Sequence, residues 1–196
     1  GKYHACPATS SAPKPMQVGG PPIWVAARDP NSHEFAISQG CNVQVTPLWQ
    51  GDGEITKLMD TFKEACAKFP EVQRPEIMLL NHTYIAADAA DAQQAAGEIN
   101  SFFCNFGAWF KNERPVSQGR IEPLTEEDIA AHPFYTADAM LRDNVIATPN
   151  DAVARIKTYA ELGYDEYAFW IDSGMSFARK KASLQRFIND VMPAFA

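Results

Sequence analysis

Ile23-Trp24-Val25-Ala26-Ala27, followed at once by Arg28-Asp29-Pro30-Asn31-Ser32, is the stretch that decides the fold. Five small or apolar residues without polar alternation suit a strand covered on both faces, as in a parallel sheet. Asp is a good helix N-cap and Pro fits the first helical turn, so a helix begins directly after the strand. Phe35, Ala36 and Ile37 give that helix an apolar side, and Gly40 stops it.

Working outward, the same strand-then-helix pattern recurs. Val43-Gln44-Val45-Thr46 is a second strand, ended by Pro47. Ile55, Leu58, Met59, Phe62, Cys66 and Phe69 follow at spacings of three and four, which makes one helical face. Ile77 to Ile85 reads as a third strand, and Asp88 caps a long helix running through Phe106. Thr148-Pro149 repeats the cap-plus-proline start, with Val153, Ile156, Tyr159, Ala160 and Leu162 as the apolar face and Gly163 as the stop. Tyr167 to Ile171 is a fourth strand, and Phe177 to Phe195 a closing helix.

Alternating strands and helices with short apolar strands predict an α/β fold, with about four parallel strands, right-handed crossovers and flanking helices. Four strands cannot close a (β/α)8 barrel, which needs about 250 residues. The chain is therefore a small open sheet or half of a barrel, read as a single domain over 1–196. Residues 1–22 hold five of the 14 prolines and form an extended lead-in. Residues 111–147 carry Pro115, Gly119, Pro123 and Pro133 and read as an insert before the last strand, with short helices near 126–131 and 138–142.

Composition narrows the function. Seventeen Lys and Arg against 24 Asp and Glu give a net charge of −7 over 196 residues, which argues against nucleic acid and anionic membrane as partners. No apolar run of about 18 residues and no basic-then-apolar N-terminus is visible, so a cytoplasmic location is expected. Cys6, Cys41, Cys66 and Cys104 lack paired spacing and read as reduced, buried thiols. His4, His33, His82 and His132 are scattered, so no metal site is expected.

Three places remain for chemistry. His82 lies near the C-terminal end of the third strand, the end at which parallel βα sheets bind ligands, and is a candidate for a substrate pocket. Asp172-Ser173-Gly174 follows the fourth strand at the same end. Ala27-Arg28-Asp29-Pro30-Asn31-Ser32 opens a helix whose N–H groups attract a phosphate, although Asp29 as a capping carboxylate opposes one at close range.

Pro13-Lys14-Pro15-Met16-Gln17, Gly20 to Ala27, Pro30-x-Ser32, Ala36-x-x-x-Gly40, Thr148-Pro149-x-x-Ala152 and Asp190 to Phe195 together resemble the flavin-dependent luciferase-like monooxygenases, in order along nearly the whole chain. The resemblance implies the C-terminal half of a TIM (β/α)8 barrel, with these strands as its fifth to eighth. The first four strands would lie outside the sequence, along with the residues that carry catalysis, so none is assigned here and the chain alone is expected to be catalytically silent. The family places its flavin phosphate after the fifth strand, which makes Ala27, Arg28 and Ser32 cofactor-binding candidates; Ser173 and Gly174 join them through their place after the last strand at the ligand-binding end. Asp29 stands where the family often has a serine. The implied activity uses reduced FMN and O2 on a small organic substrate, with a flavin reductase as partner. The rival readings are a deazaflavin F420-dependent oxidoreductase and a non-catalytic flavin-binding domain. Two open strand edges also predict a homo-oligomer.

Overall fold

A computed structural model describes residues 2–8, 10, 12–111 and 114–196. The strands are β1 (Trp24–Ala26), β2 (Asn42–Val45), β3 (Ile77–Ile85), β4 (Val116–Ser117), β5 (Arg120–Ile121), β6 (Val145–Ala147) and β7 (Glu166–Trp170). The helices are α1 (Pro30–Ser38), α2 (Gly51–Lys68), α3 (Ala89–Lys111), α4 (Glu126–Ala130), α5 (Ala137–Asp143), α6 (Pro149–Leu162) and α7 (Phe177–Arg186).

β1, β2, β3 and β7 pair side by side, all parallel. The long β3 organises this sheet: its first residues pair with β2, and Met78 to His82 pair with Glu166 to Trp170. Alternation along the strands sends Val25, Val43, Val45, Ile77, Leu79, Tyr167 and Phe169 to one face, where they join Ile55, Leu58, Met59 and Phe62 of α2 in the main core. Trp24, Gln44, Met78, Leu80, Ala168 and Trp170 alternate to the other face and stay half-buried.

The helix starts follow local chemistry. Asp29 accepts the Ser32 N–H at 3.1 Å with Pro30 in the first turn, and Gly163 ends α6 in the left-handed conformation, φ 115°.

Three differences from the sequence reading have physical causes. The sheet holds a fifth strand, β6, inside the stretch read as an insert; it pairs in parallel with Thr83 to Ile85, beyond the point where β7 stops. Val145-Ile146-Ala147 is too short to show a period, and its partner is more than 50 residues away. The insert proper is the β4–β5 hairpin with α4 and α5. The closing helix is α-helical only to Arg186; a π-helical turn (187–191) and a 3-10 turn (192–194) follow, with Pro193 unable to donate to a continuing α-helix. The four thiols are free but not fully buried: Cys6 is exposed and the others are intermediate.

A second apolar cluster covers the C-terminal end of the sheet. Ala95, Ala96, Ile99 and Phe103 of α3 pack there with Tyr84, Tyr135, Met140, Ile146 and Met175. Among the described residues no helix is long and apolar enough to cross a membrane.

Candidate functional site

The C-terminal ends of parallel strands gather the candidate residues at one end of the sheet. After β1, Ala27 is buried and donates its N–H to the Gln44 carbonyl at 3.0 Å. Arg28 reaches to α2 and pairs with Glu54 at 2.9 Å. Asp29 accepts both the N–H and the hydroxyl of Ser32. Those bonds, the hydroxyl's first, hold its carboxyl below the usual range. In this arrangement the cap of α1 is a carboxylate, the Ser32 hydroxyl is donated to it, and Arg28 pairs with Glu54 through Nη2 while its Nε is buried without a hydrogen-bond partner.

The ends of β3 and β7 differ. Nδ1 of His82 lies 2.7 Å from Oγ of Ser173, and both residues are buried. Trp170 stacks on the imidazole, with centroids 4.0 Å apart and planes 19° apart. Phe103 meets it edge-on at 4.7 Å and Phe102 lies at 5.5 Å. Burial in this aromatic cage pushes the His82 pKa down to about 3, so the ring is neutral near pH 7. Gly174 follows with φ +84°, and a Cβ there would stand 3.2 Å from the Cβ of Phe102. Gly174→Ala is therefore expected to cost about 1–2 kcal/mol through its left-handed backbone alone, read as a lower denaturant midpoint with an unchanged slope.

An aromatic wall continues outward from the cage. Phe102 stacks on Phe106, and Phe106 on Phe110, each pair four residues apart on α3. Trp49, just after β2, meets Phe106 and Phe110 edge-on and stacks on Phe134 of the insert. Behind the wall, Asp91 of α3 accepts from the Tyr84 hydroxyl and the Ala87 N–H and pairs with Arg179 of α7 at 2.8 Å. Arg179 also holds Glu98 at 3.0 Å, which fastens α7 to α3.

The structure thus joins His82, Ser173 and Gly174 at one place. Ala27, Arg28 and Ser32 sit at the β1 end, where Ser32 bonds to Asp29 and Arg28 to Glu54. Sequence reasoning missed Trp170, Trp49 and the Asp91–Arg179 pair. The available signal was the aromatic density of α3, five rings between Phe102 and Phe110.

In parallel βα barrels active sites lie at the C-terminal ends of the strands, which is where this sheet carries these polar residues and the aromatic wall. The chain belongs to the luciferase-like monooxygenase family, whose model matches residues 1–166. It is 62% identical over all 196 residues to the oxygenase component of the flavin-dependent trigonelline monooxygenase of Acinetobacter baylyi, covering 54% of that protein. Among solved structures it resembles the monooxygenase RslO1 from Streptomyces bottropensis, with TM-score 0.66 and 20% identity over 94% of this chain and 51% of that one. The oxygenating constituent of 3,6-diketocamphane monooxygenase from Pseudomonas putida, in complex with FMN, superposes with TM-score 0.61 and 16% identity over 89% of this chain and 49% of that one. An F420-dependent secondary alcohol dehydrogenase reaches 0.51 at 14% identity, over 76% and 42%. These likenesses fix the fold as that of luciferase-like barrels. The chain spans about half the length of the relatives it matches.

Proposed function

We propose that this chain is the C-terminal half of the oxygenase component of a two-component flavin-dependent monooxygenase, and that its substrate is a small N-methylpyridinium carboxylate such as trigonelline. The observation that carries this reading is the 62% identity, which extends over the whole chain. Bound reduced FMN, supplied by a separate flavin reductase, would provide the electrons that split O2, one atom going to the substrate and the other to water.

The residues of this half build a wall and exclude water. Phe102, Phe106, Trp49 and Trp170 offer flat apolar surface for a planar ring. A positively charged pyridinium ring is attracted to such faces. Ser173 and Gly174 lie beside His82 after β7, at the end of the sheet where parallel βα barrels bind ligands, and are the residues proposed for cofactor or substrate contact. Arg28, whose Nε is buried without a hydrogen-bond partner, and Ser32, whose hydroxyl is donated to Asp29, are the residues proposed to face the flavin phosphate, with the Asp29 carboxylate opposing it.

The test uses the full-length oxygenase with a flavin reductase, NADH, FMN and trigonelline under 18O2. Incorporation of one 18O atom per product is expected. Tight binding of reduced FMN without any oxygenated product would favour a non-catalytic flavin-binding protein. Binding of deazaflavin F420 alone would make it an oxidoreductase of that cofactor.

A further inference from the structure

We propose that His82 is the residue that binds the substrate carboxylate: its Nε2–H donates to a carboxylate oxygen of a flat aromatic zwitterion, and Ser173 is the positioning residue that keeps the proton on Nε2. The inference rests on the monooxygenase reading and names the part of the site that reads the substrate's acidic end.

Four observations carry it. First, the imidazole cannot turn freely. Trp170 covers one face at 4.0 Å, and Phe103 and Phe102 pack against the ring at 4.7 and 5.5 Å. Second, Nδ1 is committed to the Ser173 hydroxyl at 2.7 Å, while Nε2 has no hydrogen bond among the described residues. Third, Nε2 is absent from the buried polar atoms that lack a partner, so it keeps contact with the surface although the residue as a whole is 2% exposed. The ring is held by its faces and by one nitrogen, and presents the other.

Fourth, the place is right. His82 pairs in register with Trp170 at the C-terminal end of the sheet, and the aromatic wall of Phe102, Phe106 and Trp49 begins beside it. A pyridinium ring lying along that wall brings a ring carboxylate to the cage. In the proposed arrangement Ser173 donates its hydroxyl hydrogen to Nδ1, and the neutral ring then carries its proton on Nε2. A neutral donor suits the task because it binds a carboxylate without pairing a buried cation with it. The site differs from a bidentate arginine clamp in one respect: it offers a single donor, so it selects for position as much as for charge.

The experiment measures binding to flavin-free full-length protein through quenching of tryptophan fluorescence, Trp170 being the nearest reporter. Two ligands are compared, trigonelline and N-methylpyridinium, which lacks the carboxylate. Wild type is expected to prefer trigonelline by about tenfold or more, as one hydrogen bond to a charged group provides. His82→Phe, which refills the cage, is expected to bring the ratio close to one with N-methylpyridinium binding retained. His82→Gln, which keeps a donor, should restore part of it. Ser173→Ala should reduce the ratio, and Ser173→Thr should recover it. In parallel, 15N shifts of labelled histidine should place the His82 proton on Nε2 in the ligand-free protein.

An unchanged ratio in folded His82→Phe, or a proton on Nδ1, overturns the proposal. Failure of the monooxygenase reading shows elsewhere, in the wild type: no binding of either ligand, or no 18O in the product. A wild type that binds neither ligand takes this proposal down with the substrate reading. A wild type that prefers trigonelline equally with and without His82 removes this proposal alone.

Discussion

Expressed on its own, the 196-residue chain is expected to self-associate, and light scattering at micromolar concentration should report a dimer or larger species rather than 21.7 kDa. The structure gives the reason. Among the described residues β1 pairs only with β2 and β7 only with β3, so each leaves a row of unpaired backbone groups. Neither strand carries a lysine to discourage pairing. Trp24, Met78, Leu80 and Trp170 lie half-buried on the open face of the sheet. Beside β7, a groove of about 330 Å³ is lined by Tyr159, Tyr164, Tyr167, Phe187, Met192 and Phe195. Covering an apolar patch of order 600 Å² at about 25 cal/mol per Å² gives roughly 15 kcal/mol. Association costs about 4–15 kcal/mol. The sign favours association, and closed two-fold symmetry is its commonest form. A monodisperse monomer would refute this. Joining the chain to the other half of a luciferase-like barrel is expected to remove the tendency, because the same edges would then be paired within one molecule.

Asp91→Ala is expected to be among the most damaging single substitutions in the half-barrel. Asp91 holds three separate elements: the Tyr84 hydroxyl of β3 at 3.0 Å, the Ala87 N–H at 2.9 Å, and Arg179 of α7 at 2.8 Å. Removing it leaves a phenol, an amide and a guanidinium facing one another without their shared acceptor. Taking one partner from a buried ion pair costs about 3–5 kcal/mol. Arg179 and Asp91 keep 22% and 15% of their side-chain exposure, which places the expected loss near the lower end, about 3 kcal/mol. For a chain of this size that lowers Tm by about 6–12 °C.

The same residue makes a pH prediction. Burial raises the Asp91 carboxyl, but the Ala87 N–H, the Tyr84 hydroxyl and the Arg179 charge together outweigh it and leave the pKa below the ordinary carboxylate range. A folded pKa below the unfolded one means that the stabilisation is complete above the unfolded value. It is lost as pH falls through the folded one. Denaturation midpoints measured from pH 6 downward should therefore fall less steeply in Asp91→Asn than in wild type. Parallel curves would show that Asp91 contributes nothing through its charge.

What the sequence by itself determined was local. The Asp29-Pro30 and Thr148-Pro149 helix starts, the Gly163 stop and the uninterrupted run of β3 each follow from a residue and its near neighbours, and each is where the sequence puts it. The alternation of strand and helix then leaves a parallel sheet as the natural solution, with its ligand-binding end at the C-termini of the strands. Even the conflict at α1 was legible, because a capping carboxylate at Asp29 opposes a phosphate wherever the helix sits.

Only the tertiary structure decided what depends on distant pairs. Val145-Ile146-Ala147 becomes a strand because β3 extends past the residues that β2 and β7 pair with and leaves Thr83 to Ile85 for it. Three residues carry no period of their own, so that strand exists through its partner. Arg28 is a free cation in the sequence and a partner of Glu54 in the fold, 26 residues away. His82 became a defined group in the same way. A histidine in an apolar strand is ambiguous until Ser173, 91 residues on, reaches its Nδ1 and Trp170, Phe102 and Phe103 close around it. Its loss of charge comes from burial among side chains contributed by three segments, and no single segment contains that information.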